Sequence, residues 1–142
     1  MQFLEKLKPF GLLVLRVALG AAFVFHGYPK LANPARALHA FPSYGFPGYF
    51  AYVSGLLEVF GGGLLIAGLF TRGAALLLAI EVGLVLGRTI LPSVGIYNFA
   101  RYEMPLLLGA MSLALVTTGA GLISFDAFTF EAQRGKPLKK AK

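Results

Sequence analysis

Four stretches of about 20 mostly apolar residues take up most of this chain, at 10–31, 48–70, 73–91 and 102–123. A helix rising ~1.5 Å per residue needs that length to cross ~30 Å of hydrocarbon. Backbone N–H and C=O groups in hydrocarbon must be satisfied within their own segment, so such runs are expected as helices, not open strands. A soluble domain with four buried helices fails on charge. A chain of 142 residues has much surface for its volume. Only 13% of it is charged and 57% is hydrophobic, where soluble domains carry about 25% charge. The mean hydropathy is +0.74. The expected fold is an all-α integral membrane protein, an antiparallel four-transmembrane-helix bundle over residues 1–126 with a basic tail over 127–142.

Charge sets the expected orientation. With four spans both termini share a side, and that side collects Lys6, Lys8, Arg72, Arg134, Lys136, Lys139, Lys140 and Lys142. The opposite side holds Lys30, Arg36, Arg88 and Arg101. Eight cations against four place both termini in the cytoplasm, in a multi-pass protein of the cell inner (plasma) membrane. A net charge of +7 could suggest a nucleic-acid partner, but five of the 13 basic residues lie in the last nine positions. That pattern reads as a tail at an anionic lipid surface, so membrane lipids are expected partners and nucleic acid is not. Arg16 interrupts the first apolar stretch, which favours a retained span over a cleaved signal peptide. The connection 32–47 carries Pro34, Pro42 and Pro47 with Phe41, Tyr44 and Phe46, a composition suited to an interfacial loop or short surface helix.

Ionisable side chains inside spans are costly and point to function. The spans hold Arg16, Glu58, Glu81, Arg88 and Glu103, with His26 and Lys30 near one end. Helical steps of three and four line them up. Arg16, Gly20, Phe23, Gly27 and Lys30 share a face of span one, and Gly55, Glu58 and Gly62 share one of span two. Ala74, Glu81 and Arg88 follow at heptad spacing, as do Glu103, Leu107, Ala110 and Ala114 on span four. Small residues let membrane helices approach closely, so the four stripes are expected to meet inside the bundle.

Helical rise places Arg16 at ~9 Å from the cytoplasmic end, Glu81 at ~13 Å and Glu58 at ~18 Å. His26 and Arg88 fall at ~24 Å and Glu103 at ~27 Å. Two layers are therefore expected. The mid-membrane layer is a charge network of Arg16, Glu58 and Glu81, a candidate proton relay. Two carboxylates sharing one cation in low dielectric do not both stay ionised, so one is expected to hold a proton. The outer layer is a candidate ligand site of His26, Lys30, Arg88 and Glu103, with Arg88 paired to Glu103. The bland reading of both layers is that buried ion pairs only fix helix register. No metal site is expected. The chain has no Cys, which removes disulfide and thiolate chemistry. His39 lies in a connection, so a bis-histidine haem is not expected.

Several of these runs resemble the DoxX family. They are Arg16, Gly20, Phe25-His26-Gly27 and Lys30-Leu31; Tyr44-Gly45-Phe46-Pro47; the run from Glu58-Val59-Phe60-Gly61-Gly62-Gly63 to Gly68-Leu69-Phe70-Thr71-Arg72; and Gly119-Ala120-Gly121 with Ser124-Phe125-Asp126. The resemblance spans about residues 11–126. Glu81 departs from the family pattern, in which an apolar residue or Met is common. The resemblance implies a small four-helix membrane protein tied to quinone-linked redox chemistry or to thiol and superoxide defence. The expected function is the membrane subunit of such an oxidoreductase or defence complex. It would bind a quinone or similar lipophilic ligand, with no covalent cofactor and with another redox subunit as partner. Two alternatives stand: a non-catalytic accessory subunit of a larger membrane complex, and a small proton-coupled exporter. The exporter ranks last, because four-span multidrug exporters carry a carboxylate in span one where this chain has Arg16.

Overall fold

The computed structural model describes residues 2–94 and 97–134. Among them all regular structure is helical. Helix α1 runs Gln2–Ala32 and α2 runs Pro34–Ala40, followed by a 3-10 turn at Phe41–Tyr44. Then come α3 at Phe50–Ala67, α4 at Thr71–Val85, a π-helical turn at Leu86–Ile90 and α5 at Leu91–Val94. Helix α6 covers Phe99–Thr118 and α7 covers Phe125–Arg134. Four segments are long and apolar enough to cross a membrane: Lys6–Ala32, Phe50–Ala67, Thr71–Ile90 and Phe99–Thr118. The connection 32–47 holds a short surface helix and a 3-10 turn.

Glycines stop two of these helices earlier than hydropathy alone implies. Gly68 takes the left-handed conformation at φ 73. The Leu69 N–H returns to the Leu64 carbonyl at 3.0 Å and the Gly68 N–H to the Leu65 carbonyl at 3.2 Å, the paired bonds of a Schellman cap. Gly119 at φ 78 ends α6, and Gly121 follows at φ 79. The apolar residues Leu122 and Ile123 therefore lie in a turn beyond the fourth span, not in it. The basic tail begins as α7, while residues 135–142, with Lys136, Lys139, Lys140 and Lys142, lie outside the described residues. Asp126 ties α7 to the bundle. Its Oδ1 accepts the Phe70 N–H at 2.8 Å and its Oδ2 the Thr71 N–H at 2.9 Å. The Asp126 N–H donates to the Gly68 carbonyl at 2.9 Å. These bonds hold Phe70 at φ 48, a left-handed conformation unusual outside glycine, and place a carboxylate at the start of α4.

The tightest packing joins α1 to α3. A Cβ on Gly20 would lie 2.5 Å from the Gly62 carbonyl oxygen, and one on Gly62 2.5 Å from that of Gly20. Further along, a Cβ on Gly27 would lie 2.9 Å from the Gly55 carbonyl oxygen. Only hydrogen fits at these positions, so the two backbones pack directly on each other. Helix α3 meets α4 where Gly61 faces Leu78, and α4 meets α6 where Gly109 faces Val82. The core is Leu19, Phe23, Leu65, Ala74, Ala75, Leu78, Val82, Leu108 and Leu115.

Two expected stripes are confirmed and two are corrected. The face of α1 with Arg16, Gly20, Phe23 and Gly27 is buried, as is the face of α3 with Gly55, Glu58 and Gly62. On α4 the stripe holds through Ala74 and Glu81 and then fails, leaving Arg88 exposed. The π-helical turn at Leu86–Ile90 explains this. Each residue there advances the helix by less than the α-helical angle, so a heptad counted across it lands on a different face. On α6 the expected stripe of Glu103, Leu107, Ala110 and Ala114 is exposed. The buried residues are Leu108, Ser112 and Leu115, the face that the larger side chains Leu78 and Val82 of α4 can fill.

Candidate functional site

The register of α1 on α3 decides which charges meet. Residue numbers fall along α3 as they rise along α1, with Gly20 against Gly62 and Gly27 against Gly55. This brings Lys30 to Ser54 and Glu58, and Arg16 to Gly68. Lys30 Nζ donates to Glu58 Oε2 at 2.5 Å and to Ser54 Oγ at 2.8 Å. Ser54 Oγ in turn donates to Glu81 Oε1. Ser54, Glu58 and Glu81 are 2%, 8% and 6% exposed, whereas the Lys30 side chain retains 24%. A partly open cation thus leads through a buried hydroxyl to a buried carboxylate.

Glu81 Oε2 is buried and has no hydrogen-bond partner among the described residues. An unmet acceptor of that kind costs more than an ordinary polar contact returns, which marks the position as a place for a donor. Lys30 has three N–H donors and spends two on Ser54 and Glu58. His26, four residues before Lys30 on α1, is exposed.

The 3-10 turn after α2 lies beside Lys30. Lys30 Nζ sits 5.9 Å from the centre of the Phe41 ring, and Phe41 meets Tyr44 edge-on. Phe46 is buried, stacks on Phe50 at 5.1 Å, and carries the Arg88 guanidinium 5.9 Å from its ring centre. Phe41 in the turn and Phe46 just beyond it thus each lie against a cation from a different helix. These contacts are cation–π in kind, with charge near the ring's negative face.

The expected mid-membrane network is corrected in its cation. Arg16 does not join Glu58 and Glu81. It is 2% exposed and donates from Nη1 to the Ala120 carbonyl at 2.6 Å and from Nη2 to the Ile123 carbonyl at 2.9 Å. Depth counted along each span separately misses this, because the glycine contacts slide α1 along α3 until Arg16 is level with the turn at Gly68. Lys30 takes the place expected of Arg16, and the formal excess of one negative charge is preserved.

The expected outer site is also redrawn. Lys30 lies against Phe41, Arg88 against Phe46, and His26 is exposed. Glu103 is exposed, and among the described residues it forms no ion pair with Arg88. The π-helical turn rotates Arg88, and α6 turns its other face inward, so the two residues do not meet. Ser54 is the residue that sequence reasoning missed. It stands one helical turn before Glu58 on the same face, so the spacing that singled out Glu58 also pointed to it.

The DoxX family model matches residues 11–90. A Bacillus subtilis (strain 168) protein named "Putative oxidoreductase CatD" is 33% identical over 125 residues, covering 87% of this chain and 90% of its own. An uncharacterized protein of Haemophilus influenzae is 33% identical over 130 residues, covering 89% of this chain and 96% of its own. No solved structure matches.

Proposed function

The chain belongs to the DoxX family, and we propose that it is the membrane subunit of a quinone-linked oxidoreductase or redox-defence complex. Its four spans form an antiparallel bundle in the cell inner membrane with both termini cytoplasmic. The opposite directions of α1 and α3 and the cation excess at the terminal side support that arrangement. The observation that carries the functional reading is the buried cluster Lys30–Glu58–Ser54–Glu81 with its open oxygen on Glu81. Two carboxylates around one ammonium in apolar surroundings exceed what helix register needs. The word oxidoreductase in the name of the B. subtilis relative supports the same direction.

A quinone is a flat lipophilic dicarbonyl that takes up electrons and protons together, and here it is the substrate. The residues present suit it. Lys30 offers its third N–H to one carbonyl oxygen from a site that is partly open. Phe41 and Phe46 provide ring faces beside the two cations, and Arg88 provides a second donor. Glu58 and Glu81 hold and pass the protons, with Ser54 as the hydroxyl between Lys30 and Glu81. General acid–base transfer needs such hydrogen-bond reach. The chain has no Cys, and a second redox subunit supplies the electrons.

The test is purification in a mild detergent followed by lipid extraction and quinone assay. The wild-type protein is expected to carry quinone and to gain thermal stability from an added short-chain quinone. Lys30→Met combined with Glu58→Gln keeps the pair's net charge at zero and should lose at least nine-tenths of both effects. A wild-type protein with no quinone and no thermal response overturns the reading.

One observation favours a second reading, that of a non-catalytic accessory subunit in a larger membrane complex. The α6 stripe of Glu103, Leu107, Ala110 and Ala114 has the small residues of a helix-packing face and is exposed in the single chain. A stable membrane partner copurifying without quinone would select this reading.

A further inference from the structure

The proposed quinone chemistry leaves Arg16 unused, and its surroundings are unusual. A guanidinium 2% exposed inside a predominantly apolar helix normally faces a carboxylate. Arg16 faces two neutral carbonyls, those of Ala120 and Ile123. The acid nearest in its field is Asp126, but both Asp126 oxygens are already engaged by the Phe70 and Thr71 amides. Arg16 Nε is buried and has no partner among the described residues. Arginine has five N–H donors and binds carboxylates through a fork of two. Arg16 therefore has no carboxylate in direct contact, only the field of Asp126, and part of its hydrogen-bonding capacity is unused.

The same residue lines a groove of about 450 Å³ between α1 and α7. Its other walls are Leu13, Ala67, Ile123, Phe125 and Phe128, with Ser124 beside Arg16 as the polar exception. Phe125 and Phe128 are 59% and 79% exposed, so the apolar wall continues outward along α7. Arg16 is level with the turns after α3 and α6, which is where the spans end. A groove with one cation at its base, apolar walls and a mouth at headgroup depth fits a molecule with an acidic head and one long hydrocarbon tail.

We propose that this groove binds a long-chain carboxylate, with its head on Arg16 and its tail along Leu13, Phe125 and Phe128. The head supplies the direct carboxylate contact that Asp126, engaged by the Phe70 and Thr71 amides, does not make. This inference is independent of the quinone site, which lies at the opposite end of α1.

The chain has no Trp, so Phe128→Trp gives a single fluorescent reporter in the groove wall. In dodecyl maltoside the probes are dibromostearate, its methyl ester and a phosphatidylglycerol with brominated chains. Dibromostearate should quench saturably, be displaced by oleate, and act at least tenfold below the concentration of the ester. Arg16→Gln should abolish the preference for acid over ester. Because Arg16→Gln can also unfold the turn it holds, Ala67→Phe provides a second arm: it fills the groove with Arg16 intact and should weaken dibromostearate at least tenfold. Equal and unsaturable quenching by acid and ester overturns the proposal. So does full binding by a folded Ala67→Phe protein. Brominated phosphatidylglycerol acting at or below the concentration of dibromostearate also overturns it, in favour of a membrane lipid.

Discussion

Ser54→Ala is the sharpest test of the buried cluster. Ser54 accepts from Lys30 at 2.8 Å and donates to Glu81, so the substitution breaks two hydrogen bonds to ionisable partners. Glu81 Oε2 already lacks a partner, so both oxygens of that carboxylate would be buried and unmet. Hydrogen bonds between membrane helices average about 0.6 kcal/mol and reach about 1.7, and bonds to charged groups lie at the upper end of the general range. Two such bonds put the loss at about 1–3 kcal/mol. In a Glu81→Gln background the acceptor remains but its charge is gone, and the same Ser54→Ala change should cost about 1 kcal/mol less. The assay is equilibrium unfolding in mixed dodecyl maltoside and SDS micelles, followed by circular dichroism for the wild type, both single variants and the double variant. The expected coupling exceeds the ~0.3–0.5 kcal/mol within which independent sites add. Additive single variants, or a Ser54→Ala loss below that margin, would refute the hydrogen-bond chain from Lys30 to Glu81.

Three further outcomes follow from the packing and topology. Gly20→Leu should cost about 3 kcal/mol or more in the same unfolding assay, since even a Cβ would lie 2.5 Å from the Gly62 carbonyl oxygen; Gly63→Ala, whose Cβ meets nothing within 4 Å, should leave stability unimpaired. Glu103→Gln should leave the unfolding midpoint unchanged, because Glu103 is exposed and not paired with Arg88, and a marked fall would restore the pair expected from the sequence. Substituted cysteines at Gln2 and Ser43 should be labelled by an impermeant maleimide from opposite sides of the membrane, Gln2 from the cytoplasm, and labelling from one side would refute the proposed topology.

What the sequence made legible was periodicity, and what it concealed was register. Hydropathy alone located four spans, and steps of three and four found the buried faces of α1 and α3, because a carboxylate or guanidinium among glycines admits few other readings. The same count failed on α4 once the π-helical turn intervened, since no residue in Leu86–Ile90 announces a change of pitch. On α6 the stripe with the acid and the small residues competed with one of Leu108, Ser112 and Leu115. The second won inside a single chain because it offers more apolar volume to α4. The first retains the composition of a packing face with no helix against it among the described residues, which is the physical basis for the membrane partner of the second proposed reading.

Register along the helix axes came from contacts between helices, and it reassigned the chemistry. Measured as independent rods, the spans put Arg16 nearest the two carboxylates and Lys30 at the rim. Two close glycine contacts, Gly20 on Gly62 and Gly27 on Gly55, leave α1 no freedom to adopt that alignment. The cations are not interchangeable in the places they occupy instead. Arg16 spans two carbonyls of a turn with a planar fork, and Lys30 gathers a hydroxyl and a carboxylate around one ammonium. An ammonium on a flexible stem loses one partner without losing the others, which suits the proton transfer proposed for this cluster. A rigid guanidinium suits a fixed end of the bundle. The two ends of α1 thus carry different chemistry, and the glycines between them keep the two apart.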